Sequence, residues 1–289
     1  MPMTERSYLS LGPHGFHKID YFEWGGLGRD RALICVHGLT RRGRDFDFIA
    51  QALEDKYTVA CPDLPGRGNS HWLPVAADYK PPTYVQDMAA LIARLDVEEV
   101  DWIGTSLGGL LGMMLAAQPN TPIRKLVVND VGGYIGKPAL ERIAGYVGEN
   151  PEFDDLDGLE KYLREVAAPF GPLTDAQWRH LAQHSVRHDP QSGKLRMHYD
   201  PRIADPFKEA NSGDAADGWP YYRALAGRPV LVLRGEFSDL LPDAVAARMA
   251  TEIDDVEVAT VPGVGHAPDL SEPESVAAID QLLERVLKR

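Results

Sequence analysis

The sequence predicts an α/β fold: a mostly parallel central sheet covered by helices on both faces, with a helical cap inserted before its last two strands. Three observations carry this. Short, continuously apolar runs such as residues 32–36 and 229–233 suit strands buried on both faces. Runs with helical spacing alternate with them, the rhythm of a doubly covered parallel sheet. That rhythm breaks between residues 132 and 228 and then resumes.

Taken in order, residues 16–24 alternate apolar and polar side chains and close at Gly25-Gly26, as a half-exposed early strand does. Residues 32–36 form a central strand. A helix follows over 46–53, then a strand over 57–61 that ends at Pro62-Asp63. Val85, Met88, Leu91, Ile92 and Leu95 keep helical spacing, and the strand 100–103 follows. Leu107, Leu110, Leu111, Met114 and Leu115 make the next helix apolar on most sides, hence buried, and Pro119 stops it. Residues 125–129 are another strand. Beyond it come helical pieces over 159–167 and 175–186, amid Pro, Gly and aromatic residues. Thr174 with Gln177 reads as a capping box for the second piece. A strand at 229–233, a helix at 244–250 and a strand at 256–261 restore the rhythm. The last helix places Val276, Ile279, Leu283 and Val286 on one face. The chain thus divides into a core, residues 1–131 and 229–289, and a cap, residues 132–228.

At 289 residues the chain can bury roughly three quarters of its unfolded surface, enough for one domain with a sizeable insertion. A net charge of -13 argues against nucleic acid, which needs a basic face. The two cysteines, Cys35 and Cys61, fall in or beside buried strands, which excludes a disulfide framework and fits reduced thiols. Residues 1–6 lack the basic and apolar parts of a signal peptide, and no apolar run is long enough to span a bilayer. The expectation is a soluble, cytoplasmic protein, monomer or homodimer, that acts on a small molecule and uses no cofactor or metal.

The chemistry is carried by Gly104-Thr105-Ser106-Leu107-Gly108, set between an apolar strand and a helix. A strand–turn–helix corner strains the central Ser, and small flanking residues let the two elements pass closely. The hydroxyl then stands at a helix N-terminus, beside N–H groups able to hold negative charge. Ser is a poor nucleophile alone and needs a base in contact. His266, in a Gly/Pro-flanked loop after the last strand, falls at the same carboxyl edge of the sheet. The imidazole needs an acceptor on its other nitrogen. Asp239 is preferred, because a few residues of loop after the strand 229–233 let it reach the histidine; Asp130 and Glu236 are its rivals. Two main-chain donors are expected for an oxyanion: the N–H of Leu107, after the nucleophile, and that of Leu39, where Gly38 lets the chain turn.

His37-Gly38, the run from Asp63 to Ser70 (Asp-Leu-Pro-Gly-Arg-Gly-Asn-Ser), Gly104 to Gly109, Asp239 and His266 together resemble the α/β-hydrolase fold family, over nearly the whole chain. Within it they resemble the capped carboxylesterase and lipase-like branch, where the first oxyanion donor follows a His-Gly pair. The resemblance implies a serine hydrolase cleaving carboxylic esters of modest size through an acyl-enzyme, with a cap controlling access. The alternative is a C–C bond hydrolase acting on a diketone with the same triad. Ser106 stands where epoxide hydrolases and dehalogenases of this fold carry a carboxylate nucleophile. The Asp63–Ser70 turn is assigned to structure, and His37 to packing beneath the oxyanion loop.

Weaker signals remain. His180, His184 and His188 share one face of the helix expected at 175–186, but no acidic or cysteine partner completes a metal site. Arg41, Arg42 and Arg44 read as a solvated helix entry. The sharper reading puts one at the mouth of the site, toward an acidic substrate or a cap carboxylate. Tyr134, Phe170, Trp178, Tyr199 and Trp219 supply the cap's aromatic surface, most of it for a small core. Arg41, Tyr134, Trp178 and Tyr199 are the expected substrate-pocket residues.

Overall fold

The computed structural model describes residues 3–210 and 215–285. Met1 and Pro2 of the N-terminal segment and Val286 of the last helical face lie outside the described residues. In chain order the elements are β1 (Thr4–Gly12), β2 (Gly15–Trp24), β3 (Ala32–Val36), α1 (Asp47–Leu53), β4 (Thr58–Pro62), α2 (Pro81–Leu95), β5 (Val100–Thr105), α3 (Leu107–Ala116) and β6 (Ile123–Asn129). A long segment then carries β7 (Tyr134–Gly136), α4 (Lys137–Tyr146), α5 (Leu156–Val166), α6 (Asp175–His184), β8 (Val186–His188), β9 (Leu195–Met197), α7 (Ala204–Ala210), β10 (Ala215–Asp217) and α8 (Trp219–Arg223). The chain rejoins the sheet with β11 (Val230–Gly235), α9 (Asp243–Glu252), β12 (Val256–Val261) and α10 (Pro273–Glu284).

Eight strands form one sheet in the order β1-β2-β4-β3-β5-β6-β11-β12. The first two are antiparallel additions at one edge, and every pair from β4 onward is parallel. The central parallel strands β3 and β4 are buried at every position because both faces are covered. Leu33 and Cys35 pack with Ile49 of α1 and Ile279 and Leu282 of α10 on one side. Ile34 and Val36 pack with Met88 of α2, Leu111 of α3 and Met249 of α9 on the other. Cys35 and Cys61 are buried and unbridged. Among the described residues no helix is long and apolar enough to cross a membrane.

Two features depart from the sequence reading. β1 escapes it because its apolar alternation is inverted: Leu9 and Leu11 face outward, while Tyr8 and Ser10 turn inward. The inserted segment is also less helical than expected. β7 pairs with β10 and β8 with β9, both antiparallel and neither joined to the main sheet. α6 does begin with the capping box of Thr174 and Gln177, but it ends at His184. β-Branched Val186 opens a hairpin in place of two more helical residues, so His188 lies on β8, off the face shared by His180 and His184.

The inserted segment is tied to the sheet by directional contacts. The Gly68 N–H donates to the His198 carbonyl at 3.0 Å, and Arg41 Nη1 to Ser185 Oγ at 3.0 Å. Arg42 Nη1 donates to the His184 carbonyl at 3.2 Å. Gln177 Nε2 reaches Asp269 at 2.9 Å and Ser271 at 2.8 Å. The three arginines find their counter-charges in Asp45, Asp63 and Asp47, not in a carboxylate of the inserted segment. Burial, with Arg42 and Arg187 nearby, pushes the His198 imidazole down to about 4. Burial, then Arg44, His180, Arg42 and Arg41, push His184 down to about 3.

At the amino end of β5, buried Asp101 accepts from Tyr57 Oη at 2.9 Å and from Arg124 at 2.8 and 3.1 Å. Removing this carboxylate strands its donors. Asp101→Ala should therefore cost about 3–5 kcal/mol in urea melts, with kcat retained in the folded fraction. The seam histidines give a second expectation. Their folded pKa values, about 4 and about 3, lie below the ordinary 6.5. The unfolded chain then binds more protons, so stability is lost as pH falls from about 6.5 toward 4. His198→Gln should flatten that loss in melts recorded across this range.

Candidate functional site

Register brings the chemistry to one edge. Val36 is paired with Gly104, Thr105 with Asn129, Asn129 with Leu233 and Gly235 with Val261. The strands β3, β5, β6, β11 and β12 thus end nearly level, and their following loops share one crevice, where open parallel sheets bind ligands.

Ser106 sits between β5 and α3 with φ +52° and ψ -113°, a strained conformation for a residue with a side chain. Its neighbours explain why it is held there. A methyl added to Gly104 would lie 2.2 Å from the Gly108 carbonyl oxygen, and one on Gly108 would lie 1.9 Å from that of Val36. Only bare backbone lets α3 leave β5 so steeply while pressed against the end of β3. The Ser106 N–H donates to the Asn129 carbonyl at 2.8 Å. Asn129 Nδ2 donates to Thr105 Oγ1 at 3.0 Å and to the Pro268 carbonyl at 2.9 Å. This buried amide, absent from the sequence reading, joins the serine turn to the histidine loop.

His266 Nε2 lies 3.1 Å from Ser106 Oγ, as expected. Its Nδ1 lies 2.7 Å from Asp130 Oδ2, and here the preference for Asp239 is corrected. The loop 262–266 does not rise above β11 but packs flat upon it. A methyl on Gly235 would meet the Gly265 carbonyl at 2.0 Å, and the Phe237 N–H donates to the Val264 carbonyl at 2.8 Å. The imidazole is carried across β11 to the end of β6, where Asp130 turns with φ +56°. Asp130 is fully buried and also accepts from the Gly235 N–H at 3.0 Å and from Ser238 Oγ at 2.7 Å. Asp239 faces outward, 46% exposed, in a two-point pair with Arg142 of α4. Burial alone would raise its carboxyl, but the Arg142 guanidinium prevails and holds it below the usual range. Glu236, the other rival, accepts from the Gly263 N–H at 2.8 Å and supports the loop from outside.

The two expected main-chain donors belong to Leu107, next to Ser106 in the chain, and to Leu39, which lines the same cavity as Ser106. Leu107 opens α3, so its N–H has no carbonyl partner within the helix. Leu39 follows Gly38, where an added methyl would stand in ordinary contact, 3.7 Å from Ser106 Cβ. The Gly38 carbonyl accepts from His37 Nδ1 at 2.7 Å and from the Arg41 N–H at 3.2 Å. In a trans peptide the Leu39 N–H therefore points the opposite way. Leu64 N–H donates to His37 Nε2 at 3.0 Å, which puts the imidazole proton on Nδ1. Burial holds this ring neutral, well below its usual pKa, and it braces the loop. The Asp63–Ser70 turn braces it too: buried Arg67 donates from Nε to the Leu39 carbonyl at 2.8 Å.

A cavity of about 100 Å³ surrounds Ser106 and His266. Of the expected pocket residues, Arg41 and Tyr199 line it, and the structure does not bring Tyr134 or Trp178 to it. Tyr134 pairs with Asp217 in the β7/β10 ladder and points to solvent, while Trp178 is buried beneath the Arg164 guanidinium. Tyr146, Tyr162 and Arg142 take their place. Elsewhere, Asp47, His180 and His184 each bring one ligand atom within 4.8 Å of the others. The acidic partner that the sequence did not reveal thus comes from α1. Arg44 already holds the Asp47 carboxylate by two bonds of 2.8 Å from Nε, which makes the cluster a cation-rich seam.

The comparisons with known proteins agree with this architecture. A model of the alpha/beta hydrolase family matches residues 33–279. The 3-hydroxybutyrate-oligomer hydrolase of Cupriavidus necator is 44% identical over 277 residues, covering 94% of each chain. The 2-(acetamidomethylene)succinate hydrolase of Mesorhizobium japonicum is 28% identical over 250 residues, 86% of this chain and 85% of its own. A crystal structure of an alpha/beta hydrolase from Novosphingobium aromaticivorans superposes with a TM-score of 0.88 at 41% identity, covering 98% of this chain and 99% of the other. This chain belongs to the alpha/beta hydrolase family and is a hydrolytic enzyme.

Proposed function

We propose that this enzyme is a serine esterase that hydrolyses short oligoesters of 3-hydroxy acids. The observation that carries the reading is the unbroken line from Ser106 Oγ through His266 to Asp130, with distances of 3.1 and 2.7 Å. The substrate class rests on the 44% identity with a 3-hydroxybutyrate-oligomer hydrolase. Residues 132–228 act as the cap: α4 and α5 contribute Arg142, Tyr146 and Leu163 to the wall of the cavity over Ser106. Buried, unbridged Cys35 and Cys61 suit the reducing cytoplasm.

In the reaction, His266 Nε2 takes the Ser106 proton as Oγ attacks the ester carbonyl carbon. Negative charge that develops on the carbonyl oxygen is held by the N–H groups of Leu39 and Leu107 and the N-terminus of α3. Asp130 accepts from His266 Nδ1 and stabilises the imidazolium. The imidazolium then protonates the departing alkoxide, which leaves as the hydroxyl end of the shortened chain. Water, deprotonated by His266, attacks the acyl-serine, and the carboxylic acid departs as Ser106 regains its proton.

A fluorophosphonate reagent should label the wild type and leave Ser106→Ala unlabelled, with ester turnover lost; an equally labelled and active mutant overturns the assignment. Asp130→Asn should lower kcat by about 10⁴-fold, since the amide favours the wrong imidazole tautomer. Asp239→Asn removes only a surface ion pair, worth at most about 1 kcal/mol, so kcat should fall by about fivefold or less. The reverse ranking of these two variants would restore Asp239 as the partner of His266.

A further inference from the structure

A second and larger cavity, of about 470 Å³, lies beside the one around Ser106. The two share Gly38, Arg41, Thr105, Phe170 and Ala267 in their walls. The inner cavity, about 100 Å³, is well below the roughly 300–1,000 Å³ of most small-molecule sites, so it suits one short acyl unit and not a chain. The outer cavity is several times larger and is built from rigid pieces. α1 and the loop 267–271 form one side, and α6 faces them, tied down by Gln177 on Asp269 and Ser271.

We propose that this outer groove binds the ester units beyond the one held at Ser106, so that chain length is read by Phe48, Phe170, Ala176 and Leu181. The inference rests on the oligoester reading and adds the place where the rest of the substrate lies. The match is chemical. Beyond the scissile bond an oligoester of a short 3-hydroxy acid has aliphatic carbons, neutral carbonyls and a single charge at its carboxylate end. The groove offers Phe48, Phe170, Leu181 and Pro268 as apolar wall, with the ion pairs Arg41–Asp45 and Arg44–Asp47 along one side as hydrogen-bonding groups for the oligoester's neutral carbonyls and its end. Arg41 spans both cavities, bound by Asp45 and Ser185 and with its guanidinium carbon 5.9 Å from the centre of the Phe170 ring. Arg41 and Phe170 therefore form the passage between the two spaces. A single ester unit needs only the inner cavity; longer chains gain contacts along the groove.

The test uses two exposed groove positions outside the catalytic machinery. Ala176→Trp, in the first turn of α6, should fill the groove, and Phe48→Ala, on α1, should strip part of its wall. Both are assayed on p-nitrophenyl acetate and on the linear dimer and tetramer of 3-hydroxybutyrate. Activity on p-nitrophenyl acetate should stay within about twofold, and the dimer, with one unit in the groove, should lose less than the tetramer, on which kcat/KM drops roughly tenfold, mainly through KM. A selective loss on the tetramer in either folded variant supports the groove. If both leave the tetramer-to-dimer ratio unchanged, or lower all substrates alike, the groove is overturned while the oligoester reading stands. A wild type that hydrolyses p-nitrophenyl acetate but neither oligomer overturns the oligoester reading, and the groove assignment with it.

Discussion

The constraint on which the site depends is the contact between the start of α3 and the end of β3. Gly108 lies so near the Val36 carbonyl that a methyl group would stand 1.9 Å from the oxygen. A helix that begins there must leave β5 through a single residue, and Ser106 takes that residue's strained backbone, φ +52°. Such conformations cost about 1–3 kcal/mol and persist only where packing dictates them. Here the packing comes from Leu111 and Met113 of α3, fully buried against the sheet. Three consequences follow from one contact. The hydroxyl leaves the helix axis, the Leu107 N–H at the start of α3 has no carbonyl partner within the helix, and Gly38 comes to lie beside the serine.

A second pivot stands at the end of β6. Asn129 receives the Ser106 N–H on its carbonyl, and its side chain grips both Thr105 and the Pro268 carbonyl. The next residue, Asp130, holds His266. Two consecutive residues at the end of β6 thus fix the Ser106 turn, the loop that bears His266 and the imidazole itself. The Asp63–Ser70 turn plays the matching part on the other flank, with Arg67 braced against Leu39 and His37 against Leu64. Each reacting group is held by backbone-directed hydrogen bonds from a neighbouring element, the arrangement that locks side chains into one working geometry.

Most of the fold was legible in the sequence because its parallel strands are short, apolar runs separated by helical periods, and those signals are local. β1 was not legible, since an edge strand buries Tyr8 and Ser10 while exposing Leu9 and Leu11. The contact between Ser106 and His266 was legible from motif and placement. The acid was not, because the choice among Asp130, Glu236 and Asp239 turns on the path of the loop 262–266 across Gly235, a close approach of two backbones that leaves no periodic trace. Tyr134 and Trp178 failed as pocket residues for a related reason. Aromatic residues in the inserted segment serve either its own packing or the cavity, and only the tertiary arrangement of α4, α5 and α6 divides them.

The contrast between the two aspartates has an electrostatic logic. A carboxylate that stabilises an imidazolium must stay charged, and that charge must not already be neutralised by a cation. Asp239 fails the second condition, since the Arg142 guanidinium covers both of its oxygens. Asp130 meets it: its donors besides His266 are the neutral Gly235 N–H and the neutral Ser238 hydroxyl. Hydrogen bonds from neutral dipoles orient a buried carboxyl without cancelling its field. In the proposed reaction His266 takes up a proton, and the Asp130 carboxyl lies 2.7 Å from its Nδ1 with no cation competing for it. Ser238, in turn, is held in place by donation from the Leu241 N–H to its Oγ at 3.0 Å, so the loop after β11 contributes the carboxylate's support and not the carboxylate.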